Sequence, residues 1–433
     1  MLHPLRLFRA SPHLRHFSTM AAPARTFDAL VVGAGPAGAA AVGNLLESGA
    51  TQVAWVDPLF TGGRIPLEYN EVPSNTKVTF FVQYATGVQP FRDVIAQAAS
   101  KGENAFSKLE AMDQNTGCEL SHAGELVRFL TDGLRERDDV SPIFGSVEKL
   151  AFDAETNTWS ASVTGKNGPA SIAAERVVLA SGSHPLSLPA FSAAHPELRE
   201  IPLDISLSPS KLTSFVGPED VVAVIGSSHS AVLAVRNLMH ANVKEVRNYF
   251  RSPLRYAQFM DGWIRRDNTG LKGEAAIWAQ QNLDAANWRK HANLSRVCLT
   301  PGADVDEDGM IHNNVVEDRS ATTPDLAHEQ AIYAETLRDV TKIVFAVGFA
   351  RNSLPELVDA ASGQAFTDLD FDHKTGTFRA VPRLYGCGIA FPQEVTDPDG
   401  RTEHAVGFFK FMRFLRAVTP TWVNDKPVAE EKK

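Results

Sequence analysis

The chain has 433 residues, 44% hydrophobic and 21% charged, with a net charge of −9. That length exceeds one ordinary core and calls for two or more domains. The negative balance argues against a nucleic-acid binder, and no apolar run reaches the roughly 18 residues that span a bilayer.

The N-terminus has a composition of its own. Residues 1–26 carry Arg6, Arg9, Arg15 and Arg25 with three histidines, and no acid precedes Asp28. Leu5, Leu7, Phe8 and Leu14 would share an apolar face on a helix. This is the composition of a mitochondrial transit peptide. Arg15-His16-Phe17-Ser18 is similar to a matrix-protease cleavage pattern, with cutting after Phe17. The competing readings are a basic tail, or a start at Met20 that leaves the protein in the cytoplasm.

Phe27 to Val32 is an apolar run that predicts a buried parallel strand. Gly33-Ala34-Gly35-Pro36-Ala37-Gly38 follows, and then a small-residue helix. In a Gly-x-Gly-x-x-Gly turn, Gly33 allows the bend and Gly35 lets backbone approach a pyrophosphate. Gly38 lets the helix pack against the strand, and the helix N-terminus supplies free N–H groups. A second strand, Gln52 to Val56, ends in Asp57, 19 residues past Gly38, where a ribose hydroxyl is held. Gly62-Gly63-Arg64 comes next, either as a close approach to the cofactor or as a plain turn. Val147–Leu150, Trp159–Val163 and Ile172–Ala173 predict a β-meander, and Arg176 to Gly182 a buried strand with a glycine turn.

A second unit repeats the first. Val221 to Ile225 is an apolar strand, Gly226-Ser227-Ser228-His229-Ser230-Ala231 a degraded turn, Val232 to His240 a helix and Glu245 to Tyr249 a strand. Ser228 stands at the second glycine and adds a side chain where phosphates would pass, and Ala231 stands at the third, where Ala is common; the alternative is a Rossmann-like domain that binds no nucleotide. Arg255 to Arg266 mixes aromatics with cations and reads as a cleft wall or an amphipathic helix face. Asp304–Asp325 reads as an acidic loop. Thr341 to Gly348 echoes the strand that ends at Gly182, and Arg383 to Ile389 adds a strand and a turn at Gly388. Gly407 to Val418 predicts an amphipathic packing helix.

These pieces in this order resemble the two-dinucleotide-domain oxidoreductases of the disulfide-reductase superfamily, which includes the flavin-dependent monooxygenases. The resemblance covers residues 27–420. It implies an α/β fold of two Rossmann-like domains, the second inserted in the first, with a β-meander. Residues 27–205 and 341–433 would form an FAD-binding domain, and 206–340 an NAD(P)-binding domain. FAD would bind at Gly33, Gly35, Pro36, Ala37, Gly38, Asp57, Gly62 and Arg64. Gly182 and Gly348 match the family's interdomain turns, and Gly388 matches its second FAD motif. The family places Asp after that glycine; this chain has Ile389. Gly226, Ser228 and Ala231 would hold the nicotinamide nucleotide. Arg247 to Arg251 carries cations and no ribose acid, so Arg251 favours NADPH through a 2′-phosphate grip. Its alternative is a surface arginine.

The reductase branch needs a cysteine pair beside the flavin. Cys118, Cys298 and Cys387 are far apart in sequence, which removes that chemistry and points to a reducing, intracellular setting. Pro73-Ser74-Asn75-Thr76-Lys77 is similar to a stretch of the flavin-containing monooxygenases. That likeness implies that Asn75 lies beside the flavin, where an amide donates to bound oxygen; an ordinary turn is the alternative. Their Phe-x-Gly-x-x-x-His signature is incomplete, since Phe215-Val216-Gly217 lacks the histidine. The chain therefore stands nearer the N-hydroxylating branch. His184 and His229 read as turn caps, and His404 as able to approach the ring. The expected function is an FAD-dependent, NADPH-reduced monooxygenase acting on a small molecule, with homo-oligomers allowed. The alternatives are a mitochondrial NAD(P)H:acceptor reductase passing electrons to a quinone or protein, and a redox-responsive flavoprotein with little turnover.

Overall fold

A computed structural model describes residues 26–300, apart from 167, and 325–424. The transit-peptide segment up to residue 25 and the acidic loop up to residue 324 lie outside the described residues.

The first sheet runs in the order Phe371–Asp372, Thr377–Phe378, Leu384–Gly386, Val177–Leu179, Ala29–Val32, Val53–Asp57, Val140–Phe144. From Leu384–Gly386 onward its neighbours are parallel. Such strands are buried on both faces, which is why they read as unbroken apolar runs. Val31 and Trp55 pack on the helical side with Tyr84, Phe91 and Leu130. Leu30, Ala54 and Val56 face Phe152 and Trp159 of the meander. The meander is Ser146–Asp153, Thr158–Gly165 and Gly168–Ala174, antiparallel throughout, and wider than the sequence pattern indicated. The Phe408–Asn424 helix closes the helical layer through Met412, Phe414 and Leu415.

The second sheet is parallel, in the order Arg199–Glu200, Lys342–Phe345, Val221–Ile225, Glu245–Phe250, Leu294–Cys298. This corrects the 206–340 boundaries. Ile343 and Phe345 are buried in this unit's core beside Tyr249 and Tyr333, with Leu188, Phe191 and Leu198 packed against them. The inserted domain therefore begins after Pro185 and ends before Phe349, where the antiparallel pair Ser183–Pro185 and Phe349–Arg351 ties its two connections together. His184 Nδ1 lies 2.8 Å from Oδ1 of Asn352, the residue that follows that pair.

Two further expectations change. The Arg255 to Arg266 block is no helix: Gln258–Phe259 and Ile264–Arg265 form a short hairpin, with Gly262 at positive φ in its turn. The second motif's helix starts earlier than Val232, at His229.

Candidate active site

The two dinucleotide turns are built alike. Gly33 has φ +106°, and a Cβ there would lie 2.4 Å from the carbonyl oxygen of Ala180. Gly226 has φ +135°, and its Cβ would lie 2.4 Å from the carbonyl oxygen of Ala346. Gly33 N donates to Val56 O, and Gly226 N to Tyr249 O, each at 2.8 Å. Neither turn accepts a side chain at its first glycine. The likeness extends to residues that motif reading missed. Trp55 Nε1 donates to Gly33 O at 2.9 Å, and Asn248 Nδ2 to Gly226 O at 2.7 Å. Trp55 pairs with Val31 and Asn248 with Val224, so both occupy the same place in the repeat. Both are buried polar donors satisfied by the turn itself.

Ser228 occupies the position of Gly35. Its backbone is extended (φ −96°, ψ −169°), as is that of Gly35 (φ −78°, ψ −174°), so serine brings no strain there. The tight constraint near Gly35 lies on Gly63, which has φ +80° and whose Cβ would meet Gly35 Cα at 2.7 Å. A Cβ on Gly388, at φ +80°, would meet the Ala37 side chain at 2.6 Å. Backbone at Ala180, Gly63 and Gly388 thus closes on the Gly33–Gly38 turn, with only the Ala37 methyl between the turn and Gly388. This leaves a bare-backbone cradle at a helix N-terminus, which fits a dinucleotide pyrophosphate.

The other predicted residues divide. Asp57 Oδ2 accepts from Ala34 N at 2.8 Å, and Oδ1 from Leu59 N and Phe60 N at 2.8 and 2.7 Å, so this carboxylate organises the turn directly. Gly62 is packed on Val127 and Arg128, and Arg64 reaches away to Asp204 while its Nε donates to Tyr69 Oη at 3.1 Å. Gly182 and Gly348 sit at the interdomain pair, with φ +71° and +112°. Arg251 forms a two-point ion pair with buried Glu329, at 2.6 and 2.9 Å, and its side chain stays 55% exposed. His404 stacks on His373 at 4.7 Å on an outer hairpin and is not among the residues lining the cavity below.

A cavity of about 320 Å³ lies between the domains. Asn75, Leu203, the Ser228–Ser230 turn, Asn268–Gly270 and Gly348–Phe349 line it. Asn75 is exposed to it; Oδ1 accepts from Thr76 Oγ1 at 3.2 Å, and among the described residues Nδ2 has no protein partner. The Asn75 turn is backed by Ser74, whose N donates to Cys118 O at 2.8 Å. Burial pushes the Cys118 thiol up to about 11, so it stays protonated and unreactive.

His229 begins the second motif's helix, with a buried Nδ1 that has no partner among the described residues. Burial pushes its imidazole down to about 4, and Lys272 and Arg236 add to that, so it is neutral at pH 7. Protonation therefore favours the unfolded chain, whose imidazole titrates near 6.5. Stability should be complete above pH 6.5 and be lost as the pH falls toward 4. His229→Gln should flatten that limb in a pH series of denaturant titrations; an unchanged slope would remove His229 from the effect.

Among the described residues no helix is long and apolar enough to cross a membrane, and no group of three ligand-type side chains could hold a metal. Paired Rossmann-like domains, with a cavity between the Asn75 turn of one and the Ser228–Ser230 turn of the other, give the chain the two-dinucleotide-domain flavin-monooxygenase fold. The L-lysine 6-monooxygenase of Pseudomonas syringae matches at TM-score 0.58 and 14% identity, over 92% of this chain and 99% of that one. A reduced ornithine hydroxylase of Pseudomonas aeruginosa matches at 0.55 and 12%, over 92% and 99%. No protein-family model matches the chain. The monooxygenase AgnR1 of Paecilomyces divaricatus is 39% identical over 418 residues, covering 91% of this chain and 97% of the relative. The chain belongs to this monooxygenase family.

Proposed function

We propose that the protein is an FAD-dependent, NADPH-reduced monooxygenase that transfers one oxygen atom to a small nucleophilic substrate. The cavity carries this reading, because it joins Asn75 of the first domain to the nucleotide turn of the second. When bound, FAD supplies hydride acceptance from the nicotinamide and activation of oxygen. The Gly33–Gly38 turn, with Gly63 and Gly388, would hold it by backbone approach. The Ser228–Ala231 turn would hold the second nucleotide. Asn75 Nδ2 presents a neutral donor to an oxygen atom in the cavity, which stabilises charge there without providing an acid. Purified protein should be yellow and bleach with NADPH under nitrogen. Admitting oxygen with substrate should yield product in step with NADPH consumed. Hydrogen peroxide alone, for every nucleophile tried, would overturn the reading.

Glu329 fixes Arg251 while leaving an outer face of the guanidinium open, the presentation a 2′-phosphate needs. Arg251→Ala should lower the preference for NADPH over NADH by roughly tenfold, equivalent to about 1.4 kcal/mol. Flavin-reduction rates with the two nucleotides measure it, and an unchanged ratio removes Arg251 from nucleotide selection. We also propose mitochondrial import directed by residues 1–17; N-terminal sequencing of protein from its own cells should then begin at Ser18.

A further inference from the structure

The segment Asp267–Gly270 belongs to the inserted domain and forms one wall of the cavity, yet side chains of the other domain hold it. Glu403 Oε2 accepts from Asn268 N at 2.9 Å and from Asn268 Nδ2 at 3.2 Å, and Oε1 accepts from Thr269 Oγ1. Lys410, in the first turn of the Phe408–Asn424 helix, donates to Asn268 Oδ1 at 2.5 Å and lies 2.7 Å from Asp267 Oδ2. The side-chain amide and backbone N–H of Asn268 are therefore all bonded to groups from across the domain boundary. Lys272 donates to Asp267 Oδ1 at 2.7 Å and closes the group from the inserted side. Burial would raise the Asp267 carboxyl, but Lys272 and Lys410 outweigh it and hold it below the usual range. The wall then reaches Asn75. At Gly273, φ +60°, a Cβ would lie 2.9 Å from Ser74 O and 3.5 Å from Asn75 Cα, so backbone packs on backbone.

We propose that Glu403 and Lys410 are positioning residues: from the first domain they grip both ends of the Asn268 amide, clamp the Asp267–Gly270 wall, and hold the inserted domain against the Asn75 turn. The assignment rests on the monooxygenase reading for the role of Asn75, and on geometry alone for the clamp. Partly buried, hydrogen-bonded charges give such a contact directionality that an apolar contact lacks. A small shift of this wall alters what reaches Asn75, because reacting groups tolerate little misplacement.

The test uses flavin-loaded protein carrying Glu403→Ala or Lys410→Met, followed by hydrogen exchange and by product formed per NADPH. Amide exchange in residues 266–273 should quicken by about tenfold or more, while exchange in the His229–His240 helix and flavin content stay as in the parent. Product per NADPH should fall, with KM for the substrate rising more than NADPH-driven flavin reduction slows. Lys410→Arg, which keeps the cation, should recover most of the protection. Unchanged exchange in 266–273, or an increase spread evenly over the inserted domain, overturns the proposal. The variants remove separate halves of the clamp, so either one decides if the other does not fold. Exchange needs no turnover, so failure of the monooxygenase assay leaves this result readable.

Discussion

Gly63→Ala should give a folded protein that purifies almost without flavin. The new Cβ would lie 2.7 Å from Gly35 Cα, and the residue has φ +80°, so the chain must shift or accept strain. Strain of that kind costs about 1–3 kcal/mol, and any shift moves one wall of the bare-backbone cradle. Both effects act where, on the reading proposed above, the pyrophosphate would bind. Absorbance near the flavin maximum per mole of protein should fall by about tenfold, while far-ultraviolet dichroism keeps its parent shape. Gly102→Ala is the control. Gly102 has φ +109°, but nothing lies within 4 Å of its would-be Cβ, so it carries strain without closing any channel. It should keep its flavin; equal losses in both variants would remove Gly63 from the cradle.

The second large effect concerns Asn75. Asn75→Ala should leave flavin content and NADPH-driven reduction near parent values and lower product formation by about 10²-fold. That is the usual loss when one donor to a developing charge is removed. The electrons then leave as hydrogen peroxide, which a coupled peroxidase assay counts directly. The expectation follows from the unpartnered Nδ2 at the cavity. The one other hydrogen bond of this amide, Oδ1 accepting from Thr76 Oγ1, is exposed, so its loss unpairs no buried neighbour. Unchanged product yield would make the Pro73–Lys77 stretch an ordinary turn.

Legibility in the sequence tracked the range of the interaction. The Gly33–Gly38 and Gly226–Ala231 turns were readable because a positive φ and a strand–turn–helix rhythm are local properties. At Ser228 the glycine pattern is broken, but the extended backbone there strains no side chain; in the first turn the tight contact at Gly35 comes from Gly63, 28 residues further on, which the motif does not include. Trp55 and Asn248 read as strand residues because their partner is a carbonyl oxygen one strand away. The edges of the inserted domain were misplaced because Lys342–Phe345 looks the same whichever sheet it joins; only pairing with Val222–Ile225 decides. Arg255 to Arg266 was ambiguous between helix and strand, as short mixed segments are. The clamp on Asn268 left no trace in the sequence, since Glu403 and Lys410 come from more than 130 positions away.

The antiparallel pair Ser183–Pro185 and Phe349–Arg351 makes the inserted domain a loop excursion that leaves and returns at one point. Asn352 N and Nδ2 reinforce that point by donating to Gly182 O and Ser181 O at 3.1 and 2.8 Å. Chain ends held side by side can be joined by a short turn, so the domain is separable as a cassette. A version in which a few glycines bridge Pro185 to Phe349 should leave the first sheet's strand order intact. The excised piece has its own parallel sheet, and one of its two cores also takes in Val72 of the first domain, so exchange for the equivalent piece of a relative should carry nucleotide preference with it where that contact is matched.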